Sequence, residues 1–188
     1  MSFSAGEFSN WVYHLRHPNK IESVKDQRLH YRRMLGSLDH EVVDLMKQRT
    51  LRMASPRIKI GNWDLCYADT GADDRFFQST YLTIDGTPMK GRPDVIFEYK
   101  HDNYFIVVER KFTSVPREKQ HDHIFEPAQI QLWVYSWLDI FSEAIDVLLI
   151  LEIWERHRGG IQTGDIVSWR RSDEKHHFHC LELFERYA

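Results

Sequence analysis

The chain has 188 residues and a mass of 22.6 kDa, a length that suits one domain spanning 1–188 with a real core and is short for two. Its 42% hydrophobic, 28% charged and 13% aromatic residues are those of an ordinary globular protein and exclude a disordered chain. A net charge of -3 excludes a global basic field, so any polyanion must be held by local patches or by metal ions.

The longest apolar run, Val147 to Leu151, is far too short to cross a bilayer. The opening MSFSAGEFSN lacks the charged and apolar parts of a signal peptide. A cytoplasmic protein with no membrane partner is expected. Cys66 and Cys180 supply neither a disulfide framework nor the four thiolates of a Cys-ligated iron–sulfur cluster, so no cluster is predicted. The basic clusters Arg28 to Arg33, Arg156 to Arg158 and Arg170 to Arg171 read as solvated surface.

Taken in chain order, Ile21 to Lys47 has no Pro and one Gly, with Leu35, Leu38, Val42 and Leu45 at helical spacing, which predicts one or two helices. Pro56, Gly61 and Gly71 break the pattern between Arg49 and Arg75, predicting loops with a short strand near Arg57 to Ile60. Phe76 to Ile84 reads as a strand, Asp85-Gly86 as its turn, and the chain returns through Met89 to Asp94. Val95 to Tyr99 and Tyr104 to Phe112 continue the meander across the polar KHDN. Pro127 suits the first residue of a helix reaching about Ala144. Ile145 to Trp154 is the nearly continuous apolar run of a strand covered on both faces. Ile166 to Trp169 reads as a late strand, and Phe178 to Phe184 as either a strand or a short helix. The expected class is α/β, a central mixed sheet flanked by helices.

Chemistry concentrates in GRPDVIFEYKHDNYFIVVERK, residues 91–111. If KHDN is a four-residue hairpin loop, Tyr99 faces Tyr104, and counting back sets Asp94 opposite Glu109. Directly opposed residues have Cβ atoms about 4.5–5.5 Å apart, and like charges so placed repel unless something positive lies between them. Period two adds Lys111 to that face and turns Ile106, Val108 and Arg110 to the other. A tighter turn at Asp102-Asn103 shifts the register by two and keeps the three charges together. Hard oxygen ligands suit Mg²⁺ or Mn²⁺, which would polarise a phosphate and acidify a water, while the Lys111 ammonium could orient that water or neutralise developing charge. The competing reading is a half-exposed hairpin whose charged face is simply wet.

Downstream, QIQLWVYSWL puts Gln131 and Tyr135 four apart on one side of the predicted helix, beside an apolar stripe of Ile130, Val134, Trp137 and Phe141. Upstream, Gly36 and His40 are also four apart, and His40 lies with Val43 and Lys47 away from the leucine stripe. A neutral imidazole there would be a reasonable extra ligand, favouring Mn²⁺ more than Mg²⁺.

Pro93-Asp94 with Glu109-Arg110-Lys111 resembles the signature of the PD-(D/E)XK nuclease superfamily, and Gln131-x-x-x-Tyr135 with Gly36-x-x-x-His40 resembles its RecB-like branch. The resemblance covers about residues 36 to 135 and is greatest to small stand-alone members, CRISPR-associated or viral. It implies a restriction-endonuclease-like fold and metal-dependent hydrolysis of DNA, as single strands or duplex ends, in CRISPR adaptation, repair or viral recombination. It implies metal ligation by His40, Asp94, Glu109 and the Arg110 carbonyl, water activation by Lys111, and support and strand contact by Gln131 and Tyr135. SNWVYHLRHPNK, residues 9–20, is similar to the family's opening segment, but His17-Pro18 stands where many members have Cys-Pro. Arg110 stands where the family usually has an apolar residue. Two other readings stay open: a nuclease-fold subunit that binds DNA or a protein partner without cutting, and an RNA nuclease, since phosphate chemistry does not exclude a 2′-hydroxyl substrate.

Overall fold

The computed structural model describes residues 3–18, 62–69, 75–113, 125–157 and 160–188. The helices expected over Ile21 to Lys47, with Gly36, His40 and the first basic cluster, and the strand expected near Arg57 to Ile60 lie outside the described residues.

Helix α1 spans Ala5–Arg16, a helix the sequence reading omits. Its local signal is Ser4-Ala-Gly-Glu7, a reciprocal cap in which Ser4 Oγ accepts from the Glu7 N–H and Glu7 Oε2 accepts from the Ser4 N–H at 2.9 Å. Ala5, Phe8, Val12 and Tyr13 form its buried side.

The main sheet has the order β1-β4-β5-β6-β7: β1 is Trp63–Ala68, β4 Val95–Tyr99, β5 Tyr104–Thr113, β6 Asp146–His157 and β7 Gly160–Arg170. The β5 and β6 pair is parallel and the others are antiparallel, so the sheet is mixed, as expected. Parallel neighbours need a long crossover, here supplied by helix α2, Phe125–Ser136, between them. Strand β1 was not anticipated, although Trp63, Leu65 and Tyr67 alternate with Asp64, Cys66 and Ala68.

Strands β2, Phe77–Ile84, and β3, Thr87–Gly91, form a separate two-stranded hairpin. Its turn has positive φ at Asp85 (49°) and Gly86 (72°), the backbone that Asp-Gly favours. The expected meander is therefore interrupted: β4 has only two edges, and β1 and β5 occupy both.

Helix α2 starts two residues before the expected Pro127 and stops at Ser136, well short of Ala144, followed by a 3₁₀ turn at Asp139–Phe141. The break is tertiary in origin. The Arg171 guanidinium donates to the carbonyls of Ser136 (3.4 Å), Phe141 (2.9 Å) and Ala144, and Asp139 accepts from the Thr80 N–H at 2.8 Å. Arg171 is thus a structural staple, not the solvated cation expected, whereas Arg170 is exposed and reaches Asp146 at 3.1 Å.

Phe178 to Phe184 is helical, within α3, Glu174–Tyr187, where Asp173 caps the first turn and His176, Cys180, Leu183 and Phe184 recur on the buried side. Among the described residues the larger core lies between one face of the sheet and α1, α2 and α3, and includes Phe8, Ile96, Val107, Trp133, Leu151 and Phe184. The other face carries a second cluster, Val95, Phe97, Ile106, Val108 and Ile150. Complete burial of each such side chain contributes about 1.5–3 kcal/mol.

Candidate active site

The β4/β5 ladder runs Val95↔Val108, Ile96↔Val107, Phe97↔Ile106 and Glu98↔Phe105, so one further step opposes Asp94 to Glu109. Asp94 immediately precedes the first residue of β4, where its N–H donates to the Val108 carbonyl at 3.2 Å and its Oδ2 accepts from the Arg110 N–H at 2.6 Å. The register counted across KHDN is the register formed.

The two acids of the charged face are dry and Lys111 is part-buried, which overturns the wet-hairpin reading. Asp94 is 9% exposed and Glu109 4%, because Val107 and Ile96 on the same face pack under α2. Burial, and after it the Glu109 charge, push the Asp94 carboxyl well above the usual carboxylate range, against the opposing pull of the Arg110 N–H and the Lys111 and Arg110 charges.

Lys111 Nζ donates to Glu109 Oε1 at 2.6 Å and to Gln131 Oε1 at 3.1 Å. Gln131 Nε2 donates in turn to the Tyr135 hydroxyl, which donates to the Arg92 carbonyl at 3.1 Å. The chain of bonds runs from the β5 acid through α2 back to the Pro93-Asp94 corner. The expected one-sided α2 is instead enclosed all round: Gln131 and Tyr135 are each 2% exposed. Gly91 makes the corner's close approach feasible, since a Cβ there would come within 2.6 Å of Tyr135 Cδ1.

Arg110 points to the opposite face, where its Nε lies 2.7 Å from Glu152 Oε2 on β6; Trp154 Nε1 donates to the same oxygen at 3.1 Å. Its backbone N–H nevertheless faces Asp94, and a strand residue presents N–H and C=O along the same edge. The Arg110 carbonyl is therefore aimed toward the site.

Two carboxylates, one with an orphan oxygen, are donors of the hard type that a divalent ion such as Mg²⁺ takes alongside water. Glu109 Oε2 is buried without a hydrogen-bond partner among the described residues, a costly state that a cation would relieve. Asp94 and Glu109 are the acids present at this point; no group of three or more His, Cys, Asp or Glu side chains arranged to hold a metal occurs among the described residues. His40 lies outside them.

Sequence reasoning missed Asp69 and Arg92. Asp69 follows β1 directly, and continuing the Ala68↔Val95 register opposes it to Asp94, whose carbonyl accepts from the Asp69 N–H at 2.8 Å. Its carboxylate pairs with Arg92 Nε at 3.1 Å. Failure to identify β1 concealed both. At the N-terminal end of α2, Glu126 binds Arg16 and, at 3.0 Å, His17, so His17 of the opening segment serves helix docking.

No helix among the described residues is long and apolar enough to cross a membrane. No family model and no curated protein matches this sequence. Among solved structures, a crystal structure of SSO0001 is similar to 98% of this chain and 75% of its own, at 14% sequence identity and a TM-score of 0.37, a likeness too slight to bear on fold or function.

Proposed function

We propose that the chain is a divalent-metal-dependent deoxyribonuclease of the PD-(D/E)XK superfamily, RecB-like branch. The observation that carries this reading is the convergence of the buried acids Asp94 and Glu109 with the part-buried Lys111, tied through Gln131 and Tyr135 back to the Asp94 corner. Two nearly dry carboxylates facing one another are unfavourable in a merely structural sheet. Their arrangement is suited to Mg²⁺ or Mn²⁺.

Asp94, Glu109 and the Arg110 carbonyl would hold the ion, with His40 as a further ligand on the sequence resemblance. Bound there, the metal would polarise a phosphate oxygen and lower the pKa of a water. Glu109 and Gln131 hold the Lys111 ammonium where it can orient that water or offset charge developing on the phosphate. Arg110 N–H holds the Asp94 carboxylate toward the ion.

The test is incubation of single- and double-stranded DNA with Mg²⁺ or Mn²⁺. Wild type should cleave, and Lys111→Ala should lose about 100-fold or more of the rate. No cleavage by wild type, or equal cleavage by both proteins, overturns the proposal.

A further inference from the structure

We infer that Asp69 is a positioning residue, which, paired with Arg92, sets the place of the Asp94 carboxylate. Asp69 contributes two separate grips on one corner of the chain. Its backbone N–H donates to the Asp94 carbonyl at 2.8 Å, and its carboxylate holds Arg92 Nε at 3.1 Å, two residues before Asp94. Both side chains are nearly dry, at 6% exposure for Asp69 and 8% for Arg92, so this is an ion pair held without the solvent screening that makes surface pairs weak.

Arg92 links the two sides of the corner. Its side chain goes to the end of β1, where its guanidinium also lies 5.2 Å from the Phe76 ring centroid, and its carbonyl accepts from the Tyr135 hydroxyl on α2. Pro93 has a restricted φ and no N–H, so displacement at Arg92 is transmitted to Asp94. Asp94 in turn has its N–H on Val108, its carbonyl on Asp69 and its Oδ2 on the Arg110 N–H. Asp69 thereby acts on Asp94 from the β1 side, as Arg110 does from the β5 side.

Registers extended across β1, β4 and β5 align Asp69, Asp94 and Glu109 in one row. Three like charges in a row repel, and Arg92 neutralises the outermost. The division of labour is thus readable in the chemistry: Asp69 is occupied by Arg92, leaving Asp94 and Glu109 for the ion.

The catalytic meaning of this inference rests on the nuclease reading, and its test has an arm that does not. In metal-free protein, the Arg110 amide hydrogen, bonded to Asp94 Oδ2, should exchange faster in Asp69→Asn and in Arg92→Gln than in wild type. The double variant should be no worse than the worse single one, because the pair acts as a unit. By calorimetry, each single variant should bind Mn²⁺ about 10- to 100-fold more weakly than wild type. Unchanged Arg110 exchange in Asp69→Asn overturns the inference, whatever the metal result. Wild type that binds no Mn²⁺ overturns the nuclease reading instead, and Arg110 exchange then decides the role of Asp69 by itself.

Discussion

Asp94 is held in a conformation its charge opposes. Burial and the Glu109 carboxylate raise its pKa well above 3.8, so the folded chain binds a proton there more tightly than the unfolded chain does. The stability this gives is complete below the unfolded value and is lost as pH rises through the folded one. Metal-free wild type should therefore become less stable with rising pH above about 3.8 on account of this group, and Asp94→Asn should lack that component. At neutral pH with chelator the variant should melt above wild type, while on the proposed metal-site reading added Mn²⁺ should raise the wild-type melting temperature alone. Melting curves across pH check both, and an Asp94→Asn protein less stable than wild type near neutrality would contradict the electrostatic account. The acids, the lysine and the Gln131/Tyr135 pair were legible by spacing, because period two and period 3.6 convert sequence intervals directly into shared faces. Asp69 was not, because its role depends on β1, separated from β4 in the chain by the β2/β3 hairpin, pairing beside it.

At the scale of elements, the β4/β5 hairpin is local, and its loop alone set the register. The α1 cap was equally local, written in Ser4 and Glu7. Helix α2 was different, since its apolar sequence could have continued past Ser136, and Arg171 and Thr80 determined where its end would be satisfied. The junction of β3 with α2 gives a direct test. In Gly91→Ala the new methyl would meet the Tyr135 ring at 2.6 Å, forcing the ring aside and weakening its bond to the Arg92 carbonyl. Overpacking of this kind should cost about 1–3 kcal/mol by denaturant unfolding and, on the proposed nuclease reading, lower cleavage disproportionately at limiting metal. Unfolding free energy equal to wild type would show that the corner yields without cost.

At the scale of the whole molecule, among the described residues α1, α2 and α3 cover one face of the sheet, and α3 closes the layer against α2. His176 lies at that joint, 4% exposed, stacked on Trp169 with ring centroids 5.3 Å apart. Gln129 lies 2.9 Å from its Nδ1, which as an acceptor from the amide leaves the ring proton on a buried Nε2 with no partner among the described residues. Burial, followed by the charges of His179 and His177 and opposed by Asp173, lowers its pKa from 6.5 to about 4. Because the unfolded chain protonates first, this group's contribution to stability should be lost on acidification from about 6.5 to about 4, opposite in sign to that of Asp94, and His176→Gln should remove it from pH-dependent unfolding. A slope unchanged by the substitution would assign acid sensitivity elsewhere. By itself the sequence determined the local features: the hairpin register, the Asp-Gly turn, the apolar run of β6, and which charges share a face, since each follows from backbone period and turn chemistry. Tertiary structure decided that β1 rather than β3 flanks β4, that α2 ends at Ser136, and that Asp94 and Glu109 are dry. Those outcomes depend on which distant segments occupy an edge, satisfy a carbonyl or exclude water, and no interval along the chain encodes them.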